Sequence, residues 1–100
     1  MIREVAELKI KSGEEEAFVA AVAEAVPHFR TARGCKSMRL ERVVEAPEIF
    51  RLIVIWETLE NHMVDFRESD GFQAWRGLVG GFFAEPPKVD HSEVALVGFE

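Results

Sequence analysis

The chain has 100 residues, 48% hydrophobic and 30% charged, with 12 basic against 18 acidic side chains and a net charge of -6. That length holds one domain over residues 1–100, and no basic stripe interleaved with aromatics offers a nucleic-acid surface. No apolar run approaches the ~20 residues of a membrane span, and the single Cys35 permits neither an internal disulfide nor a multi-cysteine metal site.

Acidic residues interrupt the N-terminus at once, so no signal-peptide pattern is present and a cytoplasmic location is expected. Residues 3–10 alternate, with Ala6, Leu8 and Ile10 on one face and Val5, Glu7 and Lys9 on the other, which predicts a strand. Ser12 with Glu15 three residues on reads as a capping box. Phe18, Val22, Ala25 and Phe29 then recur at helical spacing. Pro27 predicts a kink or an early end near Val26, and Gly34 a left-handed stop.

Cys35 to Val44 reads as a mixed, partly exposed second strand. Glu45-Ala46-Pro47-Glu48 is a turn, so the second and third strands form a hairpin. The third strand, Ile49 to Glu57, places Phe50, Leu52, Val54 and Trp56 on one face and Ile49, Arg51, Ile53 and Ile55 on the other. Thr58 is a predicted N-cap for a short helix with Leu59, His62, Met63 and Phe66 on one side. Asp70 with Gln73 reads as a second capping box, opening a helix that carries Phe72, Trp75, Val79 and Phe82 on one face. Gly80-Gly81 weakens its end, and Lys88 to Val97 completes the pattern as a fourth strand.

Strand, helix, strand, strand, broken helix, strand is the ferredoxin-like split βαβ arrangement, an α+β fold with a four-stranded antiparallel sheet and both helical layers on one face. The third strand is apolar on both faces, and nothing in the chain remains to cover the second. Soluble monomers rarely expose such a patch, so two sheets packed face to face in a homodimer are expected.

Several short motifs run in order along the chain: Arg33-Gly34-Cys35, the Pro47 hairpin, Trp56-Glu57, Glu60-Asn61-His62, Phe66-Arg67-Glu68-Ser69, Phe72-Gln73-Ala74-Trp75-Arg76 and Pro86-Pro87-Lys88-Val89-Asp90-His91. In order and spacing they resemble the antibiotic biosynthesis monooxygenase (ABM) family of dimeric α+β barrels. The resemblance implies a cofactor-independent oxygenase for quinols or polycyclic aromatics. Many members carry a helical histidine nine or ten positions after the strand-end tryptophan. Here His62 follows Trp56 by six, and there is no tyrosine at all.

His62, on the inward side of its helix, is the candidate general base: a phenol or quinol must lose a proton before it passes electrons to dioxygen. The alternative is a buried histidine bonded to a backbone carbonyl or to Glu57. Trp56, Phe66 and Trp75 are candidate aromatic walls for a planar substrate, with core packing as the alternative. His91 either partners His62 across the pocket or lies in the sheet or dimer interface, depending on which side of its strand it takes. Arg76, one step off the apolar face, either binds an anionic substrate group or makes a solvated salt bridge. The three histidines have no metal-ligand spacing, and no flavin or nicotinamide fingerprint occurs, so no metal or cofactor is expected. Two functions fit: an oxygenase for a small aromatic molecule, or a non-catalytic small-molecule-binding or stress-associated dimer of the same fold.

Overall fold

The alternation in the first ten residues builds β1 (Ile2–Lys9), the strand around which the sheet forms. The computed structural model describes residues 1–100. After β1 come α1 (Glu15–Arg30), β2 (Cys35–Arg42) and β3 (Ile49–Trp56). A π-helix (Asn61–Phe66), α2 (Asp70–Val79), a 3-10 turn (Gly80–Phe82) and β4 (Lys88–Ser92) follow. The sheet order is β2-β3-β1-β4, every pair antiparallel. This is the expected ferredoxin-like α+β fold.

Phe50, Leu52, Val54 and Trp56 of β3 are all buried on the helix-covered face, as their period-two spacing requires. The register places Ala6 opposite Leu52 and Leu8 opposite Phe50. Phe18, Val22, Ala25 and Phe29 of α1 close over them. Phe18 meets the Phe50 ring at 5.2 Å, and Phe29 packs on Phe66 at 4.8 Å and Trp75 at 5.1 Å. The opposite sheet face carries Val5, Ile49, Ile53 and Ile55; Ile53 is buried yet stands outside the main core cluster.

Several local expectations are corrected. Ser12 does not cap α1. A tight turn, with Gly13 at φ +86° and the Glu14 amide donating to Lys11 O, leaves Ser12 short of the helix, whose N-cap is Glu14. Pro27 does not end α1, which runs on to Arg30; buried Phe29 anchors the last turn between Phe66 and Trp75. The Pro27 carbonyl accepts from both the amide and the hydroxyl of Thr31. Gly34 has the left-handed φ, +76°, but it leads into β2 rather than capping α1.

The N-cap of α2 is Ser69 rather than Asp70: its hydroxyl accepts from the Phe72 amide at 3.2 Å. β2 stops at Arg42 and β3 at Trp56. β4 ends at Ser92, well before Val97. Ser92 already pairs with Arg3, and β1 begins at Ile2, so the chain beyond has run off the end of its partner.

Candidate functional site

Thr58 begins the segment that positions the site. Its hydroxyl accepts from the Asn61 amide, and the Asn61 side-chain oxygen accepts from both the amide and the hydroxyl of Thr58. The Asn61 side chain also fills the space where Gly34 has no Cβ, so a side chain at 34 would collide with it. This lock fixes the start of the π-helix. A π turn closes its hydrogen bonds five residues apart, and the Arg67 amide reaches His62 O at 3.3 Å. The wider turn buries Asn61, His62 and Phe66 and leaves Leu59 and Met63 exposed, correcting the α-helical face predicted for Leu59, His62, Met63 and Phe66.

His62, 4% exposed, has both ring nitrogens engaged. Nδ1 lies 2.8 Å from His91 Nε2, and Nε2 lies 3.3 Å from Glu4 Oε1. Glu4 Oε1 also accepts from Trp56 Nε1–H at 2.9 Å. Strand register explains the meeting: Glu4 and His91 are directly opposed across β1 and β4, on the helix-covered face. An indole N–H only donates, so Oε1 accepts from Trp56; with Glu4 ionised, Oε1 also accepts from His62 Nε2–H, and Nδ1 then accepts from His91 Nε2–H. The Trp56 ring stacks on His62 at 5.4 Å and 16°.

Burial has shifted both partners. Desolvation raises the Glu4 carboxyl to about 7, against the opposing pull of the Trp56 hydrogen bond and the Arg67 charge. Desolvation, with His91 and Arg67 adding, lowers His62 to about 4. At neutral pH His62 is therefore neutral, and Glu4 is the group poised to gain or lose a proton.

Glu4 and His62 form part of the wall of a half-open cavity of about 350 Å³ between sheet and helices. Leu8 and Leu52 of the sheet and Phe72 and Trp75 of α2 supply much of its apolar lining. Arg67 and Arg76 also line it. No group of three or more histidine, cysteine or carboxylate side chains is disposed to hold a metal ion.

The model of the antibiotic biosynthesis monooxygenase family matches residues 1–78. The chain belongs to that family. Among ABM relatives, a crystal structure from Bordetella bronchiseptica with the same family description is 52% identical. It covers 95% of this chain and 97% of its own, with a TM-score of 0.93. The uncharacterised protein YczJ of Bacillus subtilis (strain 168) is 37% identical over 91 residues, which are 91% of this chain and 96% of that protein. A Nitrosomonas europaea structure at 20% identity covers 96% and 100% of the two chains with a TM-score of 0.81, a likeness of fold.

Within this ABM fold the residues singled out from sequence separate into three positions. His62 and Trp75 reach the cavity wall. His91 does not line the cavity; it stands behind His62 as a hydrogen-bond partner. Trp56 and Phe66, read as substrate walls, lie in the core at 0% and 3% exposure, because β3 and the π-helix press them together at 5.3 Å. Trp56 acts on the site only through its bond to Glu4 and its stacking on His62. His62 is bonded neither to a backbone carbonyl nor to Glu57, which pairs instead with Lys36. Glu4 and Arg67 were not singled out. The signal for Glu4 was present, since alternation puts it on the face of Ala6, Leu8 and Ile10. Arg67 follows Phe66 with no pattern of its own.

Proposed function

We propose that this ABM protein is a cofactor-independent monooxygenase acting on a phenol- or quinol-like aromatic molecule held in the cavity. The observation that supports the reading is the hydrogen-bonded chain Trp56–Glu4–His62–His91, two of whose members open onto a cavity with a largely apolar lining. A ligand hydroxyl beside Glu4 and His62 gives up its proton there. Ionised Glu4 is the base that takes the proton; His62 holds its carboxylate through Nε2–H, and His91 fixes the His62 ring from the other side. The resulting anion donates electrons to dioxygen directly. Loss of two hydrogens and gain of one oxygen is a four-electron oxidation. It matches dioxygen reduced to one incorporated atom and one water.

The test is oxygen uptake with a panel of hydroquinones. Wild type should consume oxygen, Glu4→Gln should lose about 10²–10⁴-fold of the rate, the usual contribution of a positioned acid–base group, and His62→Ala should lose a smaller part of it. Equal uptake by both variants would remove the pair from the mechanism. A binding-only role has one observation in its favour: both His62 nitrogens already have partners. Saturable binding of these ligands without uptake would establish that role.

We further infer that two copies associate through the sheet face carrying Val5, Ile53 and Ile55, giving the dimeric α+β barrel. The reading sets the protein in the cytoplasm, whose reducing conditions keep Cys35 a thiol.

A further inference from the structure

Arg67 and Arg76 are both exposed and both line the cavity, so they stand at its mouth. Neither is in an ion pair. The ion pairs of the molecule are Lys36–Glu57, Arg39–Glu41 and Arg51–Glu7. The solvated salt bridge that sequence offered for Arg76 is therefore not made. Instead its guanidinium sits over the Phe72 ring, 5.9 Å from the centroid, held against an aromatic wall of the same cavity. Arg67 lines the same cavity as Glu4 and His62, and its charge pulls the pKa of each downward.

The distribution is unusual for this chain. Acidic residues outnumber basic ones 18 to 12 overall, yet the cavity has two arginines and one acidic side chain, the protonatable Glu4. An aromatic hydroxyl beside Glu4 and His62 offers the two guanidiniums at most one oxygen. A planar carboxylate matches their fork of N–H donors.

We propose that the cavity takes a hydroxyaromatic carboxylate, with the hydroxyl end toward Glu4 and His62 and the carboxylate held by Arg67 and Arg76 at the mouth. The inference rests on the cavity being the ligand site of the oxygenase reading, and it names the class of that ligand. Arg67 and Arg76 are positioning residues for the anion. Glu4 remains the proton acceptor and His62 its hydrogen-bond partner.

Calorimetric titration of the full chain with a hydroxynaphthoate, and with the hydroxynaphthamide of the same substitution pattern, tests it. The acid should bind about tenfold or more tighter than the amide at low salt, with the gap narrowing as ionic strength rises. Arg67→Gln and Arg76→Gln should each cut acid affinity about tenfold and amide affinity by much less, since the amide has no charge for the guanidiniums to pair with. Arg76→Lys should recover part of the loss. Binding with this discrimination but without oxygen uptake supports the anion site and removes only the oxygenase reading. Equal affinity of acid and amide, or saturation by neither, overturns the anion site whatever the oxygen electrode reads.

Discussion

Glu4 and His62 are displaced in opposite senses, and the consequences for stability oppose each other. Folded Glu4 keeps a proton up to about 7 that the unfolded carboxyl releases near 4.5. Its contribution therefore favours the fold at low pH and declines as pH rises through that window. Folded His62 refuses, down to about 4, a proton that the unfolded imidazole takes up near 6.5. Its contribution favours the fold at high pH and is lost as pH falls from 6.5 to 4. Between 4.5 and 6.5 the two slopes cancel. Glu4→Gln removes one of them and leaves the burial, His91 and Arg67 that lower His62. Thermal melts across pH 4 to 8 should show a flatter profile in wild type than in the variant, whose Tm should fall as the medium is acidified. Parallel profiles would mean that the two groups do not titrate as their burial implies.

Each element owes its place to particular residues, and the legible ones share a feature. Strands announced by alternation, such as β1 and β3, came out with the expected faces because one face had to be dry. The amphipathic α1 did likewise. Capping was less legible, since Ser12 and Asp70 both had the right neighbours and neither caps. The difference between a serine in a turn and one at a helix start depends on backbone angles, which Gly13 decides in one case and Ser69 in the other. Ser69→Ala should therefore cost about 1 kcal/mol in denaturant unfolding, while Ser12→Ala should stay within about 0.5 kcal/mol. A reversed order would restore the capping box as first read. The candidate site was half legible. His62 was found because it is a histidine beside apolar neighbours. Glu4 passed unnoticed because an acid at a strand's start ordinarily faces water, and here it faces inward. What holds it there, the Trp56 indole and His62, comes from residues more than fifty positions away.

For the whole molecule, the proposed second copy covers the helix-free face of the sheet. Val5 and Ile55 are half-buried on the helix-free sheet face, next to Ile53. Beyond β4, Val94, Leu96 and Phe99 are exposed as well. Ile55→Asp puts a charge in the middle of the proposed contact without touching the helix-covered core. Burying an unpaired carboxylate there is strongly unfavourable, so sedimentation should give a dimer for wild type at micromolar concentration and a monomer for the variant. A wild-type monomer at that concentration would end the inference.

The π turn between Asn61 and Phe66 bears on how relatives are compared. An α-helix advances about 100° per residue, so one residue more or less inside a turn swings everything after it to another side. Here the wide turn lets two consecutive residues, Asn61 and His62, both point inward. Residue counts from Trp56 therefore do not measure which side a histidine takes. An alignment that slides this segment by one place would match His62 with Met63, a solvent-facing position, and make the histidine look absent where its ring in fact meets Glu4 and His91. In this chain the histidine is placed by the carboxylate and imidazole it touches, not by its distance from Trp56.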